Sequence, residues 1–160
     1  MRTGLAADAS NDWLRPDMGV RGIQVISTTR AGGASTGRFA GLNVGGQVGD
    51  SDEIVQANRQ MLCEQLPPGS TITWLNQVHG TRVIHAPSEY SKGVEADAVW
   101  SDEPWLACAI MTADCLPIIL ADVDGQCVAA AHCGWRGLAG GILKRTIEAM
   151  PVDASRLVAW

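Results

Sequence analysis

Apolar residues recur at two spacings along the chain, and the shorter spacing predicts a set of β-strands. Near-continuous apolar runs at 105–111 and 118–122 are typical of strands that are covered on both faces. An Asp124-Gly125 pair follows the second run and predicts a hairpin whose return strand lies at 127–132. Shorter apolar runs predict further strands at 23–28, 71–75, 82–84 and 98–100.

The longer, helical spacing occurs in two places. The first predicted helix begins near Asp50, in the N-cap position with Glu53 three residues later, and ends before Pro67. The second covers residues 138–150, where apolar side chains share one side, and Pro151 stops it. Antiparallel strand pairs combined with helices that cover a sheet predict a mixed α/β (α+β) fold.

A glycine-rich segment at residues 30–49 separates the first predicted strand from the first helix. Its seven glycines are too many for the interior of a helix or a strand. We weigh an ordered loop that wraps part of the protein against a flexible surface loop. The weakly patterned residues 1–22 predict a loose N-terminal arm, and residues 23–160 predict a single domain without internal repeats.

Composition narrows the class of protein. With 46% hydrophobic and 18% charged residues the chain is expected to be globular. A net charge of −5 argues against nucleic acid or an anionic membrane as the main partner. The first residues lack a signal-peptide core, and no apolar run reaches the roughly 18 residues of a membrane span. Five cysteines without a CxxC pattern then predict free thiols in the cytoplasm.

Three short strings place metal-binding side chains where apolar segments meet turns. They contain His79, Cys115 and His132, and thus two of the three histidines of the chain. Imidazole and thiolate are ligands that zinc prefers, and three protein ligands with one open position are typical of a catalytic zinc site. We therefore predict a zinc centre formed by these three residues, which are also the candidate catalytic residues.

Neighbouring residues compete for these ligand positions. Cys133 follows His132 directly, and successive residues of a strand point to opposite faces, so only one of them faces a given site. Asp114 precedes Cys115 and is a candidate ligand, a partner that orients a histidine, or a turn cap; we favour the last two. Cys108 and Cys127 lie inside apolar runs and are most simply core residues.

A possible anion site follows His132. The string Gly134-Trp135-Arg136-Gly137 joins a strand to a helix, and a helix N-terminus beside an arginine suits an anion. Alternatively, the glycines only permit tight turning and Arg136 pairs with a surface acid. Arg30 and Asn43 on the glycine-rich segment are further candidates for substrate or phosphate binding, with ordinary loop roles as the alternative.

Six ordered strings resemble those of the YfiH-like family, also called the laccase-domain or polyphenol-oxidase family. The resemblance runs from about residue 26 to the end of the chain. The strings that carry it are Ser27-Thr28-Thr29-Arg30-Ala31-Gly32-Gly33-Ala34-Ser35, Leu42-Asn43-Val44 with Val48-Gly49-Asp50 and Asn58-Arg59, Gln77-Val78-His79-Gly80, Glu95-Ala96-Asp97-Ala98, Thr112-Ala113-Asp114-Cys115-Leu116-Pro117, and His132-Cys133-Gly134-Trp135-Arg136-Gly137.

The resemblance implies a mixed-sheet sandwich flanked by helices and a zinc-dependent purine nucleoside phosphorylase. The implied substrates are adenosine, inosine, guanosine and methylthioadenosine with phosphate, and adenosine deamination is a further implied activity. His79, Cys115 and His132 are the zinc ligands that the family pattern implies. Two departures stand out: Cys133 replaces a small residue, and the family domain continues past residue 160. We therefore expect a C-terminally incomplete domain, with a strand starting at 156–160 and reduced activity.

Two other functions remain open on the sequence alone. One is a metal-free cysteine hydrolase in which Cys115 is the nucleophile and His79 or His132 is its base. The other is an inactive, shortened fold that binds a nucleoside or a protein. Multicopper oxidase chemistry is disfavoured because three protein ligands cannot assemble several copper sites. Oligomeric state and preferred nucleoside do not follow from the sequence.

Overall fold

The computed structural model describes residues 12–160, which belong to two compact units. The first unit contains the described residues up to 16 together with 24–68, and the second contains 17–23 and 69–160. Residues 1–11 of the predicted arm lie outside the described part of the chain. The predicted limits of the arm and of a single domain over 23–160 stay predictions.

The first unit is organised around one helix, α1 (Asp52–Cys63), and a short 3₁₀ helix at Gly37–Phe39. The buried Asn58 of α1 fixes the glycine-rich segment through three hydrogen bonds. Its Nδ2 donates to Ser35 Oγ at 3.0 Å and to the Asn43 carbonyl at 2.8 Å, and its Oδ1 accepts from the Ala34 N–H at 2.8 Å. The segment is therefore an ordered loop that wraps the helix, which confirms the first of the two interpretations.

Two local predictions in this unit are wrong. No regular strand forms at 23–28; Ser27 instead makes one isolated antiparallel pair with Leu14. Asp50 is not the N-cap, because that position belongs to Ser51. The Asp50 carboxylate accepts from Ser35 Oγ at 2.7 Å and Asn43 Nδ2 at 2.9 Å. The Asp50 side chain, which the sequence predicts as the helix cap, therefore accepts hydrogen bonds from the loop.

The second unit carries the sheets. Its strands are β1 (Thr71–Thr73), β2 (Val83–His85), β3 (Ala98–Ser101), β4 (Leu106–Cys108), β5 (Leu116–Asp122), β6 (Val128–Cys133) and β7 (Leu157–Ala159). β1 and β4 form a parallel pair, and the other five form a sheet in the order β2-β3-β6-β5-β7. Only β2 and β3 run parallel within the larger sheet. The predicted mixed α/β fold is confirmed.

The β5–β6 hairpin sets the register that matters for the site. Leu116 pairs with Cys133 and Pro117 with His132. The turn uses Gly125 in a left-handed conformation with φ of 73°, as the Asp-Gly signal predicts. One step beyond the last pair, this register places Cys115 opposite Gly134.

Three helices accompany the sheet in this unit: α2 (Ala86–Glu89), α3 (Trp135–Gly140) and α4 (Ile142–Ala149), with a 3₁₀ helix at Ala154–Arg156. Ile142 of α4 packs with Ala98, Ala131 and Cys133 in the core. The single helix predicted over 138–150 is wrong, because Gly141 adopts φ of 89° and separates α3 from α4. Within residues 12–160, no helix has the length and apolar character needed to cross a membrane.

Candidate metal centre

The three predicted ligands come together in the second unit. The ligand atoms of His79, Cys115 and His132 all lie within 4.8 Å of one another. The rings of the two histidines meet edge to face with centroids 4.7 Å apart. Residues that are 36 and 17 positions apart in sequence thus form one cluster of two imidazoles and a thiol.

His132 is held by a buried carboxylate. It lies near the end of β6 with 4% of its surface exposed, and its Nδ1 lies 2.9 Å from Asp97 Oδ1. A carboxylate accepts this bond, so Nδ1 carries the proton and Nε2 keeps its lone pair for a metal. The backbone of His132 also donates to the Asp97 carbonyl at 2.8 Å.

The Asp97 carboxylate is fully buried and receives three further donors from the turn that carries His79. The N–H groups of Val78, His79 and Gly80 donate to it at 3.3, 2.9 and 2.7 Å. Burial acts to raise the pKa of Asp97, but the bond from His132 and the three backbone donors outweigh it and hold that pKa below its ordinary value. Asp97 is therefore an anion at neutral pH.

His79 is the exposed member of the three candidate ligands and lies on a strained turn. Its φ is 60°, a left-handed conformation that costs a residue with a Cβ about 1–2 kcal/mol. The three N–H donors to Asp97 stabilise this turn. Gln77, two residues earlier, makes a pair of bonds with Met111, donating to its carbonyl at 2.8 Å and accepting from its N–H at 2.6 Å. This clamp ties the His79 turn to the segment that leads into Cys115.

Cys115 lies just before β5 and faces the backbone of Gly134. A Cβ added to Gly134 would lie 2.7 Å from Cys115 Sγ and 3.7 Å from His79 Cδ2. The φ of Gly134 is −59°, which any residue adopts, so close packing and not conformation requires the glycine. The hairpin register thus gives the thiol its place beside the two imidazoles.

The cluster fits a zinc ion. Zinc at about 2.0–2.3 Å from each of four tetrahedral ligands sets those ligand atoms about 3.3–3.6 Å apart. The observed limit of 4.8 Å therefore requires the widest pair to close by no more than about 1.5 Å. Side-chain rotation of the exposed His79 supplies a movement of that size. Zinc prefers nitrogen and sulfur donors such as these, whereas magnesium and calcium prefer oxygen donors.

The competing cysteines take other positions. Cys133 is buried among core residues on the opposite face of β6, and burial raises its pKa to about 11. Cys108 and Cys127 are core residues, as predicted; burial raises the pKa of Cys108 to about 12. Asp114 is exposed, and the carboxylate that orients His132 is Asp97.

The third histidine belongs to a different local arrangement. His85 stacks on Trp100 with ring centroids 3.9 Å apart. Its Nδ1 lies 2.9 Å from Ser88 Oγ and its Nε2 lies 2.9 Å from Asp102 Oδ1. The bond from His85 lowers the pKa of Asp102. His85 therefore fixes the start of α2 and is not part of the metal group.

The predicted anion-binding residues belong to different compact units. Arg136 is exposed at the start of α3, and its guanidinium lies 4.5 Å from the ring centroid of Trp135. Arg30 and Asn43 belong to the first unit. There, Arg30 Nη2 donates to the Ala40 carbonyl at 3.0 Å, and Asn43 Oδ1 accepts from the Gly45 N–H at 3.0 Å. Their roles toward a substrate stay predictions.

Comparisons with known proteins give a family and several relatives. A family model described as multi-copper polyphenol oxidoreductase laccase matches residues 24–160. A purine nucleoside phosphorylase of Pseudomonas aeruginosa is 44% identical over 151 residues, covering 94% of this chain and 61% of the relative. Purine nucleoside phosphorylase YfiH of Escherichia coli K12 is 38% identical over 148 residues, covering 92% and 59%. The chain thus spans about three fifths of the length of these relatives.

Solved structures agree with the fold. A Neisseria meningitidis protein, NMB0706, superposes with a TM-score of 0.86 at 44% identity, covering 92% of this chain and 61% of that one. YlmD from Geobacillus stearothermophilus superposes with a TM-score of 0.83 at 30% identity, covering 98% and 62%. The folds are therefore similar over nearly the whole of the present chain.

Proposed function

Because the chain belongs to the multi-copper polyphenol oxidoreductase laccase family and is similar to a purine nucleoside phosphorylase named YfiH, we propose that it is part of a zinc-dependent purine nucleoside phosphorylase. Relatives that match most of this chain carry the name purine nucleoside phosphorylase. The proposed substrates are a purine nucleoside, such as adenosine, inosine, guanosine or methylthioadenosine, and inorganic phosphate. A cytoplasmic location belongs to the same proposal, since free cysteines suit a reducing compartment.

One observation carries the proposal. His79, Cys115 and His132 converge within 4.8 Å, and one of them is already oriented by a buried carboxylate. Three ligands from separate segments with an exposed member leave room for a substrate or water as a fourth ligand. A purely structural site would more often be closed by a fourth protein ligand.

Different residues are proposed to bind the metal, to orient a ligand and to bind the phosphate. When bound, zinc supplies Lewis acidity that polarises a water molecule or a phosphate oxygen. His79, Cys115 and His132 hold the ion, and Asp97 keeps the His132 ring oriented. Arg136, exposed at the start of α3, is the candidate partner for the phosphate in this unit. Arg30 and Asn43 are the candidates in the first unit.

Some apolar side chains that follow or precede the candidate ligands in sequence are exposed. Val78, Leu116 and Trp135 are 51%, 54% and 72% exposed. Val78 and Leu116 are each adjacent in sequence to a ligand, and Trp135 follows the glycine that contacts Cys115. Flat, weakly polar bases bind on such surfaces. We therefore propose Val78 and Trp135 as candidates for contact with the purine base.

Nucleoside turnover with and without phosphate tests the proposal. The zinc-loaded chain is incubated with inosine or adenosine, and free base and sugar phosphate are separated by chromatography. We expect base release only when phosphate is present, and its loss in His132→Ala. The matched control is Cys133→Ala, which alters the next residue on the opposite face of β6. Ammonia release from adenosine is assayed separately, because deamination is a second proposed activity.

Base release that is independent of phosphate would replace the phosphorylase proposal with a hydrolase. The absence of turnover on any of the four nucleosides, from a chain shown to hold zinc, would contradict the proposal for this chain. An extended version carrying the additional length of the relatives then serves as the comparison.

A cysteine hydrolase is the second candidate, because Cys115, His132 and Asp97 also occur in the order nucleophile, base and orienting acid. His79 favours the metal instead, since a hydrolase of this kind has no need of a third ligand in the cluster. Alkylation with iodoacetamide separates the two. A thiolate held by zinc reacts slowly until a chelator removes the metal, whereas a free nucleophile reacts at the same rate with or without chelator.

A further inference from the structure

One buried carboxylate is connected to both histidines of the metal centre by different routes. Asp97 Oδ1 accepts from the ring Nδ1 of His132 at 2.9 Å and from the backbone N–H of His79 at 2.9 Å. Asp97 Oδ2 accepts from the N–H groups of Val78 and Gly80 at 3.3 and 2.7 Å. One side chain therefore controls a ring on β6 and the backbone of a turn.

Asp97 is itself rigidly held. It immediately precedes β3, its N–H donates to the Arg82 carbonyl at 3.0 Å, and its carbonyl accepts from the His132 N–H at 2.8 Å. The side chain has no exposed surface. The N–H groups of residues 78–80 all donate to this one carboxylate. Its fixed position therefore sets the position of the exposed turn relative to the sheet.

We infer that Asp97 is the positioning residue of the metal centre: it selects the His132 tautomer that presents Nε2, and it holds His79 in its left-handed conformation. The inference rests on the proposed metal site but not on the reaction that the site catalyses. Asp97 does not reach the metal position in place of a ligand; it acts through the two histidines.

An amide cannot replace this carboxylate. Each oxygen of Asp97 faces two donors, His132 Nδ1 and the His79 N–H on one and the Val78 and Gly80 N–H groups on the other. Asn in either orientation places its NH₂ group against two N–H donors. Asp97→Asn is nearly isosteric. It nevertheless places an NH₂ group against N–H donors, so that one pair of hydrogen bonds is replaced by a repulsive contact.

The test compares the wild-type chain with Asp97→Asn in three measurements. Zinc affinity by chelator competition is expected to fall about 10- to 100-fold, the usual effect of removing the partner of a ligating histidine. Ring ¹⁵N NMR of the metal-free protein is expected to show the Nδ1-protonated tautomer of His132 in the wild type and its loss in the variant. Amide exchange at residues 78–80 is expected to be faster in the variant.

Asp122→Asn is the matched control. Asp122 is equally buried and accepts two bonds from the Arg156 guanidinium, at 2.9 and 3.0 Å, away from the metal group. Its replacement is expected to destabilise the fold while zinc affinity, the His132 tautomer and exchange at 78–80 stay unchanged. An equal loss of zinc affinity in Asp122→Asn would show a general effect of destabilisation and would overturn the inference.

Gly80→Ala keeps the inference testable if Asp97→Asn does not fold. A Cβ at Gly80 would lie 3.3 Å from Asp97 Oδ2, so the methyl group displaces the carboxylate without removing a charge or a donor. We expect faster exchange at residues 78 and 79 and zinc binding that is weaker by several fold. Unchanged exchange and affinity would contradict the inference. A wild-type chain that binds no zinc would contradict the proposed function, whereas the tautomer and exchange measurements would still decide the role of Asp97.

Discussion

Two cysteines of the β5–β6 hairpin, Cys115 and Cys133, have opposite surroundings. Cys133 is 1% exposed on the core side of β6, and burial raises its pKa to about 11. At neutral pH it is a protonated thiol, which is a poor metal ligand. Cys115 is half-buried and lies within 4.8 Å of two imidazole nitrogens. The alternation of side chains along β6 thus leaves only one cysteine of the hairpin at the site.

Cys115→Ala is expected to abolish stoichiometric zinc binding, because two histidines alone form an incomplete site. Cys133→Ala is expected to keep the zinc and to lose some stability through a smaller core side chain. Metal content of the purified variants by mass spectrometry distinguishes them. Full zinc retention by Cys115→Ala would remove this residue from the ligand set.

At the scale of residues, the sequence predicts which three side chains come together, but not the residue that holds two of them in place. His79, Cys115 and His132 stood out because polar side chains of uncommon type ended apolar segments. Asp97 lies between Ala96 and Ala98, and an acid flanked by apolar residues is the local signal of a buried carboxylate. Its partners lie 17 to 35 positions away, and pairings at that range depend on sheet register, which a single sequence does not specify.

At the scale of elements, the hairpin and its turn followed from local sequence, and the last helix did not. Asp124-Gly125 sets its own backbone geometry, so the turn and both strands were predictable. Residues 138–150 have a helical pattern throughout, but Gly140-Gly141 lies within it. Helical periodicity does not report where a glycine turns left-handed, so the break between α3 and α4 was missed.

Gly141→Ala tests the physical reason for that break. A left-handed conformation costs alanine about 1–2 kcal/mol, so the free energy of unfolding should fall by about that amount. Gly141→Asn is the matched variant, because asparagine tolerates this conformation better than alanine does. Urea unfolding of the three proteins gives the comparison. An asparagine variant that is less stable than the alanine variant would show that backbone conformation is not the cause.

At the scale of the whole molecule, several acidic side chains are held as anions by hydrogen bonds. Burial acts to raise the pKa of Asp97 and Asp122, but their donors outweigh it and the net pKa of each is lowered. Bonds from Asn43 and Ser35 lower the pKa of Asp50. Folding therefore disfavours protonation at positions in both compact units.

Stability is accordingly expected to fall with acid. The unfolded chain takes up protons near the ordinary carboxylate pKa of about 3.9, while the native chain takes them up only at lower pH. The stabilisation is complete above that value and is lost as pH falls through the lowered native pKa values. Urea midpoints measured with chelator between pH 3 and pH 7 should decrease below about pH 4. In Asp122→Asn this decrease should be shallower; a midpoint that rises in acid would contradict the assignment.

Because the three candidate ligands are far apart in sequence, the stability of the fold is expected to depend on the concentration of the metal. An ion held by His79, Cys115 and His132 would join three segments that span residues 79–132. Because these side chains come together only in the folded chain, the free energy of metal binding would add to the free energy of folding. A ligand that binds only the native state at 100 times its dissociation constant adds about 2.7 kcal/mol of stability. The fraction of chains that are folded would then depend on the free zinc concentration. When zinc is scarce, the amount of folded protein would fall.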